Sequence, residues 1–548
     1  MNYTVGHFLI DEINKAGVDK IFGVPGDFNL TFLDTIMEHP YVEWIGNTNE
    51  LNASYAADGY ARMKGIGALV TTFGVGELST VNGIAGAYAE RVPVIAITGA
   101  PTTVVERGHK YVHHTLGEGN YDDFRKVFKP ITCAQAYITQ ANAQEEIPRV
   151  IQVALSEKRP VHIHLPIDVA AMPLTSVDQQ VSLIESRHKD ALDTVLKTVQ
   201  ARLNESKQPV IITGHEINSF KAHQALQTFS EQTKIPVAQL SLGKSAFDET
   251  HKNYLGMYAG SVSEEYVRNY VDESDLILNL GAKLTDSATS GFSHGFNEED
   301  MIVINHRLYR DNDIVIEGIP LLESLDALNK HIDFKNNTAF ETHKSNVDFT
   351  PSDRKLTQNN YFKLMNQFLK PYDVILAEQG TSFFGGYTMS LPKNTTFIGQ
   401  PLWGSIGYTL GALLGTQLAD EKRRNILLIG DGSLQLTVQT LSTMIRENLK
   451  PIIFCINNDG YTVERMIHGA DAKYNDIKMW NYCALPSAFG AEDEVKTHLV
   501  ETEKDLVDVF NKINEEPNKM HFIEVKMEVL DAPDTLKGVS KAFAAQNK

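Results

Sequence analysis

Short apolar runs ending in glycine, proline or asparagine recur along the chain, separated by longer stretches compatible with helix. Runs of this length bounded by turn formers suit strands buried on both faces, and their alternation with helices suits parallel sheets. The first third contains IFGVPG from Ile21, VEWIGNTN from Val42, ALVTTFGVG from Ala68, VPVIAITGAP from Val92 and RPVHIHLPID from Arg159. The middle repeats the beat with PVIITGHEI from Pro209, IPVAQLSLG from Ile235, LILNLGAKL from Leu276 and MIVINH from Met301. The last third does so with DVILAEQG from Asp373, TFIGQP from Thr396, NILLIGDG from Asn425, KPIIFCINNDG from Lys450 and HFIEVKM from His521. Two polar stretches without periodicity, PLTSVDQQVSLIESRHKD from Pro173 and KNNTAFETHKSNVDFTPSDRK from Lys335, read as linkers. The pattern predicts an α/β protein of three doubly wound parallel-sheet domains, over residues 1–175, 190–340 and 357–548.

Composition agrees with three domains, since 548 residues with 42% hydrophobic and 22% charged positions supply ample core. A formal charge of −19 disfavours a nucleic-acid-binding face, which needs clustered Lys and Arg. Cys133, Cys455 and Cys483 are too widely spaced for a CxxC metal site or a disulfide framework, which points to a reducing cytoplasm. The first residues lack a secretory pattern and no apolar run is long enough for a membrane span. The expected partner is therefore a small molecule rather than nucleic acid or membrane.

Candidate chemistry gathers at strand ends, where ligands of open parallel sheets bind. In LLIGDGS, Gly430 and Gly432 flank Asp431, leaving room for a ligand beside the backbone. Leu434, Val438, Leu441 and Ile445 then follow at helical spacing and predict one buried helix. Taken alone, Asp431 reads more readily as a helix cap. In the next strand's turn, Asn458 follows Asp431 by 27 residues, about one helix plus one strand, and Gly460 follows it. A carboxylate, an amide oxygen and a glycine carbonyl are hard ligands, suited to Mg²⁺ or Ca²⁺ carrying phosphate oxygens.

GDGS followed by NNDG resembles the diphosphate and metal motif of thiamine diphosphate enzymes. The whole chain, from GVPGDFN to SKAFAAQNK, resembles the pyruvate decarboxylase family of 2-oxo acid decarboxylases. The resemblance implies thiamine diphosphate and Mg²⁺ as cofactors, with Asp431, Asn458 and the Gly460 carbonyl as metal ligands. Gly430, Gly432 and Ser433 would adjoin the diphosphate, and Ile406, in QPLWGSIGYT, would wedge under the cofactor. Glu50, in NELNASYAADGYAR, matches the glutamate that hydrogen-bonds the aminopyrimidine. Asp27, His113, His114 and Glu464 match the family's proton donors and acceptors. Individually they also read as a turn acid, loop histidines and a solvated helix acid. Together they favour decarboxylation over carboligation, whose acetolactate synthase branch generally lacks the His-His pair. Glu464 is expected to be held neutral by burial and neighbouring acids.

By the same resemblance the substrate side chain meets Gln379, Phe383 and Val463, with Val539 and Phe543 closing the site; these residues also suit simple packing of a C-terminal helix. Pyruvate-specialised relatives tend to carry Ile where this chain has Val463, so the residues imply a roomier pocket for branched-chain or broad-range 2-oxo acids such as 3-methyl-2-oxobutanoate. Pyruvate and aromatic acids are the alternatives on substrate, and a carboligase or an inactive metabolite-binding homologue the alternatives on activity. The family's sites lie between the Glu50-type domain of one subunit and the diphosphate domain of another, which implies a homodimer as the minimal unit, commonly paired into a homotetramer.

The middle domain carries no complete ligand motif and reads as a scaffold. AQLSLGKSAF ends like a phosphate-binding loop but has Ala238 where the first glycine is required, and GVGELS from Gly74 lacks a third glycine.

Overall fold

The computed structural model describes residues 3–174, 189–343 and 348–546. Most of the first predicted linker, residues 175–188, and residues 344–347 of the second lie outside the described residues. The strands are β1 (Lys20–Gly23), β2 (Glu43–Gly46), β3 (Gly67–Thr72), β4 (Val94–Ala100), β5 (Ala134–Tyr137) and β6 (Val161–Pro166) in the first domain. The middle domain has β7 (Pro209–Thr213), β8 (Val237–Gln239), β9 (Tyr254–Met257), β10 (Leu276–Leu280), β11 (Met301–Asn305), β12 (Leu308–Asp311) and β13 (Ile314–Glu317). The third has β14 (Val374–Ala377), β15 (Thr396–Ile398), β16 (Asn425–Gly430), β17 (Ile452–Asn457), β18 (Val495–Val500) and β19 (Met520–Lys526).

The first and third sheets share one all-parallel topology, β2-β1-β3-β4-β6-β5 and β15-β14-β16-β17-β19-β18. In this order the chain leaves β1 to one side and β3 to the other, which opens a crevice at their carboxyl ends. The matching point of the third domain lies between β14 and β16, where Gln379 and Asp431 follow their strands.

Every apolar run named above contains a strand. The pattern missed β5, β9, β12, β13 and β18. β5 and β18 are outer strands with partly exposed polar positions, so neither shows a continuous apolar run. The expectation of a wholly parallel middle sheet is corrected by an antiparallel edge, β11-β12-β13. Its links, His306–Arg307 and Asn312–Asp313, are two residues long, too short for the crossover a parallel pair needs.

The first and third domains are fastened by helices Glu50–Lys64 and Tyr408–Ala419, buried around most of their circumference. Small residues allow the close approach: a side chain on Gly59 would overlap the Ala412 backbone, and one on Gly415 would overlap the Ala56 carbonyl. Ion pairs tie in the middle domain, with Arg91 Nε donating to Glu216 Oε1 at 2.6 Å and Arg307 Nε to Glu157 Oε1 at 2.7 Å. Among the described residues no helix is long and apolar enough to cross a membrane.

The single helix expected after Asp431 is two helices, Asp431–Thr437 and Thr440–Arg446. Val438 and Gln439 between them keep right-handed helical dihedrals, so the apolar spacing runs through the break. The Thr437 hydroxyl is committed to the Gly407 carbonyl at 2.7 Å, which ties the first helix to the loop carrying Ile406.

Candidate active site

A cavity opens at the crevice between β14 and β16. Gln379, Ile406, Asp431, Asn458, Val463 and Glu464 are among its lining residues, as are Gly430, Gly432, Ser433 and Gly460. A side chain on Gly430 would meet nothing within 4 Å and project into open space, whereas one on Gly432 would press on the Tyr461 ring. The two glycines thus serve different ends, one leaving space for a ligand and the other admitting a neighbouring ring.

Asp431 is buried at 1% exposure and reaches across to the β17 turn. Gly432 N donates to its Oδ1 at 2.8 Å and Gly460 N to its Oδ2 at 3.1 Å. Asp459 and Gly460 both have positive φ, 57° and 116°, which folds the turn back onto the carboxylate. Burial pushes the Asp431 carboxyl up to about 6 despite these amides.

The Asn458 amide tests whether the cluster fits a cation. Its oxygen stands 3.3 Å from Asp431 Oδ1 and 3.2 Å from the Gly460 carbonyl oxygen, with its nitrogen 2.8 Å from Thr462 Oγ1. Turned over, the amide would donate to both oxygens and accept from Thr462. Carboxylate and carbonyl groups thus each stand within 3.3 Å of the amide, and ligands about 2.1 Å from an octahedral Mg²⁺ have neighbours about 3 Å apart. The donor set and spacing therefore fit a hard divalent cation.

The first domain holds a second group at the matching strand ends. Asp27 follows β1, Glu50 follows β2, and His113 and His114 lie in the loops after β4. His113 Nε2 is 2.7 Å from Asp27 Oδ2, and His114 Nε2 is 3.8 Å from Oδ1. Phe28 stacks on the His113 ring at 4.9 Å, and the two histidine rings meet edge to face at 4.5 Å. Glu50 opens the helix Glu50–Lys64, whose Asn49 cap accepts from Asn52 N at 2.8 Å. Its carboxyl is raised by partial burial.

Glu464, in the helix Thr462–Ile467, is also raised, and burial alone raises it. The neighbouring acids expected to contribute do not do so within one chain. Nor does one chain unite the two groups, because no residue of the first domain lines the Asp431 cavity.

Gln379 and Val463 lie on the cavity wall, but Phe383 does not. Phe383 is buried and instead borders a second cavity at the junction of the three domains. That cavity contains none of Gly430, Asp431 and Gly432. Val539 is fully buried and Phe543 partly so in the helix Asp534–Gln546, within the apolar cluster that also takes in Val463. They back the wall rather than form it.

Sequence reasoning passed over Glu378 and Tyr461. Glu378 ends the same strand-to-glycine pattern as Asp431, AEQG beside IGDG, and that parallel was its available signal.

Comparison with known proteins gives a consistent picture. Family models for thiamine pyrophosphate enzymes match in three parts: the N-terminal TPP binding domain at residues 3–121, the central domain at 196–315 and the C-terminal TPP binding domain at 381–525. An alpha-keto-acid decarboxylase of Mycobacterium leprae (strain TN) is 39% identical over 550 residues, covering 100% of this chain and 96% of that protein. One of Mycobacterium tuberculosis (strain H37Rv) is 40% identical over 551 residues, covering 99% and 98%.

Proposed function

The chain belongs to the thiamine diphosphate-dependent 2-oxo acid decarboxylases, and from that premise we propose that it acts on branched-chain or broad-range 2-oxo acids such as 3-methyl-2-oxobutanoate, releasing carbon dioxide and the aldehyde. The observation that carries the substrate reading is the wall at Val463. Gly380, with φ 128°, presents no side chain to it: a Cβ there would stand 3.8 Å from Val463 Cγ2. A Val facing a glycine leaves room for a branched substituent.

Bound thiamine diphosphate supplies the electron sink for loss of carbon dioxide. In the third domain, 357–548, Asp431, Asn458 and the Gly460 carbonyl would hold Mg²⁺, while Gly430, Gly432 and Ser433 would adjoin the diphosphate and Ile406 would support the cofactor. In the first domain, 1–175, Glu50 would hydrogen-bond the aminopyrimidine, a role its raised carboxyl supports. Asp27, His113 and His114 deliver the proton that completes the aldehyde. Glu464 stays neutral beside the departing carboxylate, a role its raised carboxyl supports. The middle domain, 190–340, is the scaffold.

Because the two groups stand apart within one chain, each complete site combines two chains. The minimal unit is a homodimer, and its pairing into a homotetramer follows the family resemblance. Val75, Val104, Tyr111 and Leu116 support this, since they expose apolar surface around the Asp27 group that a second copy would cover. The free thiols of Cys133, Cys455 and Cys483 support a cytoplasmic setting.

The deciding experiment strips the protein of cofactor, restores thiamine diphosphate and Mg²⁺, and follows aldehyde from pyruvate, 3-methyl-2-oxobutanoate and phenylpyruvate. A higher kcat/KM for the branched acid is expected. Preference for pyruvate or phenylpyruvate would overturn the pocket reading, and acyloin in place of free aldehyde would overturn the decarboxylase reading in favour of carboligation.

A further inference from the structure

Ile406 sits in a loop whose neighbours on both sides are fixed. Ser405 Oγ is 2.7 Å from Tyr55 OH and accepts from Asn82 Nδ2 at 2.9 Å, both from the first domain. Gly407, with φ 85°, gives its carbonyl to Thr437 Oγ1 at 2.7 Å, on the helix that begins with Asp431. The remaining anchor is Glu378, at 1% exposure under the cavity floor.

Glu378 Oε2 accepts from Thr409 N at 3.0 Å and Thr409 Oγ1 at 2.5 Å, while Oε1 accepts from Gln379 N at 3.0 Å. The Gly407 amide also hydrogen-bonds this carboxyl. Among the described residues no cation pairs with it. Burial raises it to about 7, with only these neutral donors holding it down. A simple cap for the helix Tyr408–Ala419 would account for the Thr409 contacts. It does not account for the other oxygen, which reaches Gln379 on the cavity wall. One buried carboxyl therefore spans the end of β14 and the loop that follows Ile406.

We propose that Glu378 is a positioning residue that fixes the height of Ile406 and the adjoining backbone of Gln379, so that the bound cofactor is held bent with its amino group against its reactive carbon. This rests on the reading of Ile406 as the support beneath the cofactor. In Glu378→Gln, one amide nitrogen must face N–H or O–H donors that now meet an oxygen, so the floor has to shift.

The test measures hydrogen–deuterium exchange at the reactive carbon of thiamine diphosphate bound to the full-length enzyme, with cofactor affinity and Tm recorded alongside. Ile406→Ala, Glu378→Gln, the double variant and Thr409→Val are compared with wild type. Thr409→Val removes one donor at nearly constant volume, and it keeps the test alive should Glu378→Gln fold poorly. We expect Ile406→Ala and Glu378→Gln each to slow exchange at least about tenfold, the double variant to be no slower than the worse single variant, and Thr409→Val to slow it less. Wild-type exchange in Glu378→Gln, or full additivity with Ile406→Ala, would overturn the proposal alone. Unaltered exchange in Ile406→Ala would overturn the support reading and this inference with it. For a poorly folding Glu378→Gln, wild-type exchange in Thr409→Val would count against the proposal.

Discussion

The carbonyl oxygen of His114 occupies the space that a side chain on Gly74 would need. Gly74 has φ 64° and its amide donates to Glu77 Oε1 at 2.9 Å, so the turn after β3 is fixed and the loop bearing His113 and His114 packs directly on it. Gly74→Ala should displace that loop and separate the histidines from Asp27. Its backbone strain costs about 1–3 kcal/mol, and kcat should fall by at least about tenfold at temperatures where the variant stays folded. Wild-type turnover in a folded variant would show that the loop need not hold this position.

Metal binding should depend on pH through Asp431. Its carboxyl is raised from the ordinary 3.8 to about 6 in the metal-free chain. Between those values the folded state binds more protons than the unfolded state, so metal-free stability falls as pH rises through the window and levels off above about 6. A cation needs the ionised form. Mg²⁺ affinity should therefore be level above pH 6 and drop towards tenfold per unit below it, with proton release approaching one per ion. Calorimetry of Mg²⁺ binding in buffers of different ionisation heat reads both; flat affinity down to pH 5 would remove Asp431 from the ligand set.

Val463→Ile adds one methylene to the wall facing Gly380. It should lower kcat/KM for 3-methyl-2-oxobutanoate relative to pyruvate by about 10- to 200-fold, the range for one methylene in an apolar pocket. Stability should change by less than about 1.5 kcal/mol, because the position is only partly buried. An unchanged ratio of the two rates would place the substrate side chain against some other wall.

These residues differ in how far the sequence exposed them. Asp431, Asn458 and Gly460 were legible because each stands in a short turn whose glycine and asparagine have a local conformational reason. The long strands were legible because burial on both faces leaves an unbroken apolar run. β5 and β18 were not, since these edge strands keep polar positions that resemble loop. Glu378 escaped because its meaning depends on Thr409, 31 residues away, whose hydroxyl and amide make a buried acid tolerable. Phe383, Val539 and Phe543 show the opposite limit, because an apolar side chain in a wall and one behind it obey the same pattern.

Two inactive chains should restore one active site if the site is shared between chains. Glu50→Gln and Glu464→Gln are near-isosteric, and each should abolish most activity as a homodimer. In a mixed dimer the wild-type Glu50 of one chain faces the wild-type Glu464 of the other, while the second site carries both substitutions. Random pairing makes half the dimers mixed, each with one of two sites intact, so coexpression should recover about a quarter of wild-type activity. If each chain instead completed its own site, every site in the mixture would keep one substitution and activity would stay at the level of the parents. Purifying the mixed species through two different tags and measuring its aldehyde production separates these results, with about half of wild-type activity expected for the pure mixed dimer.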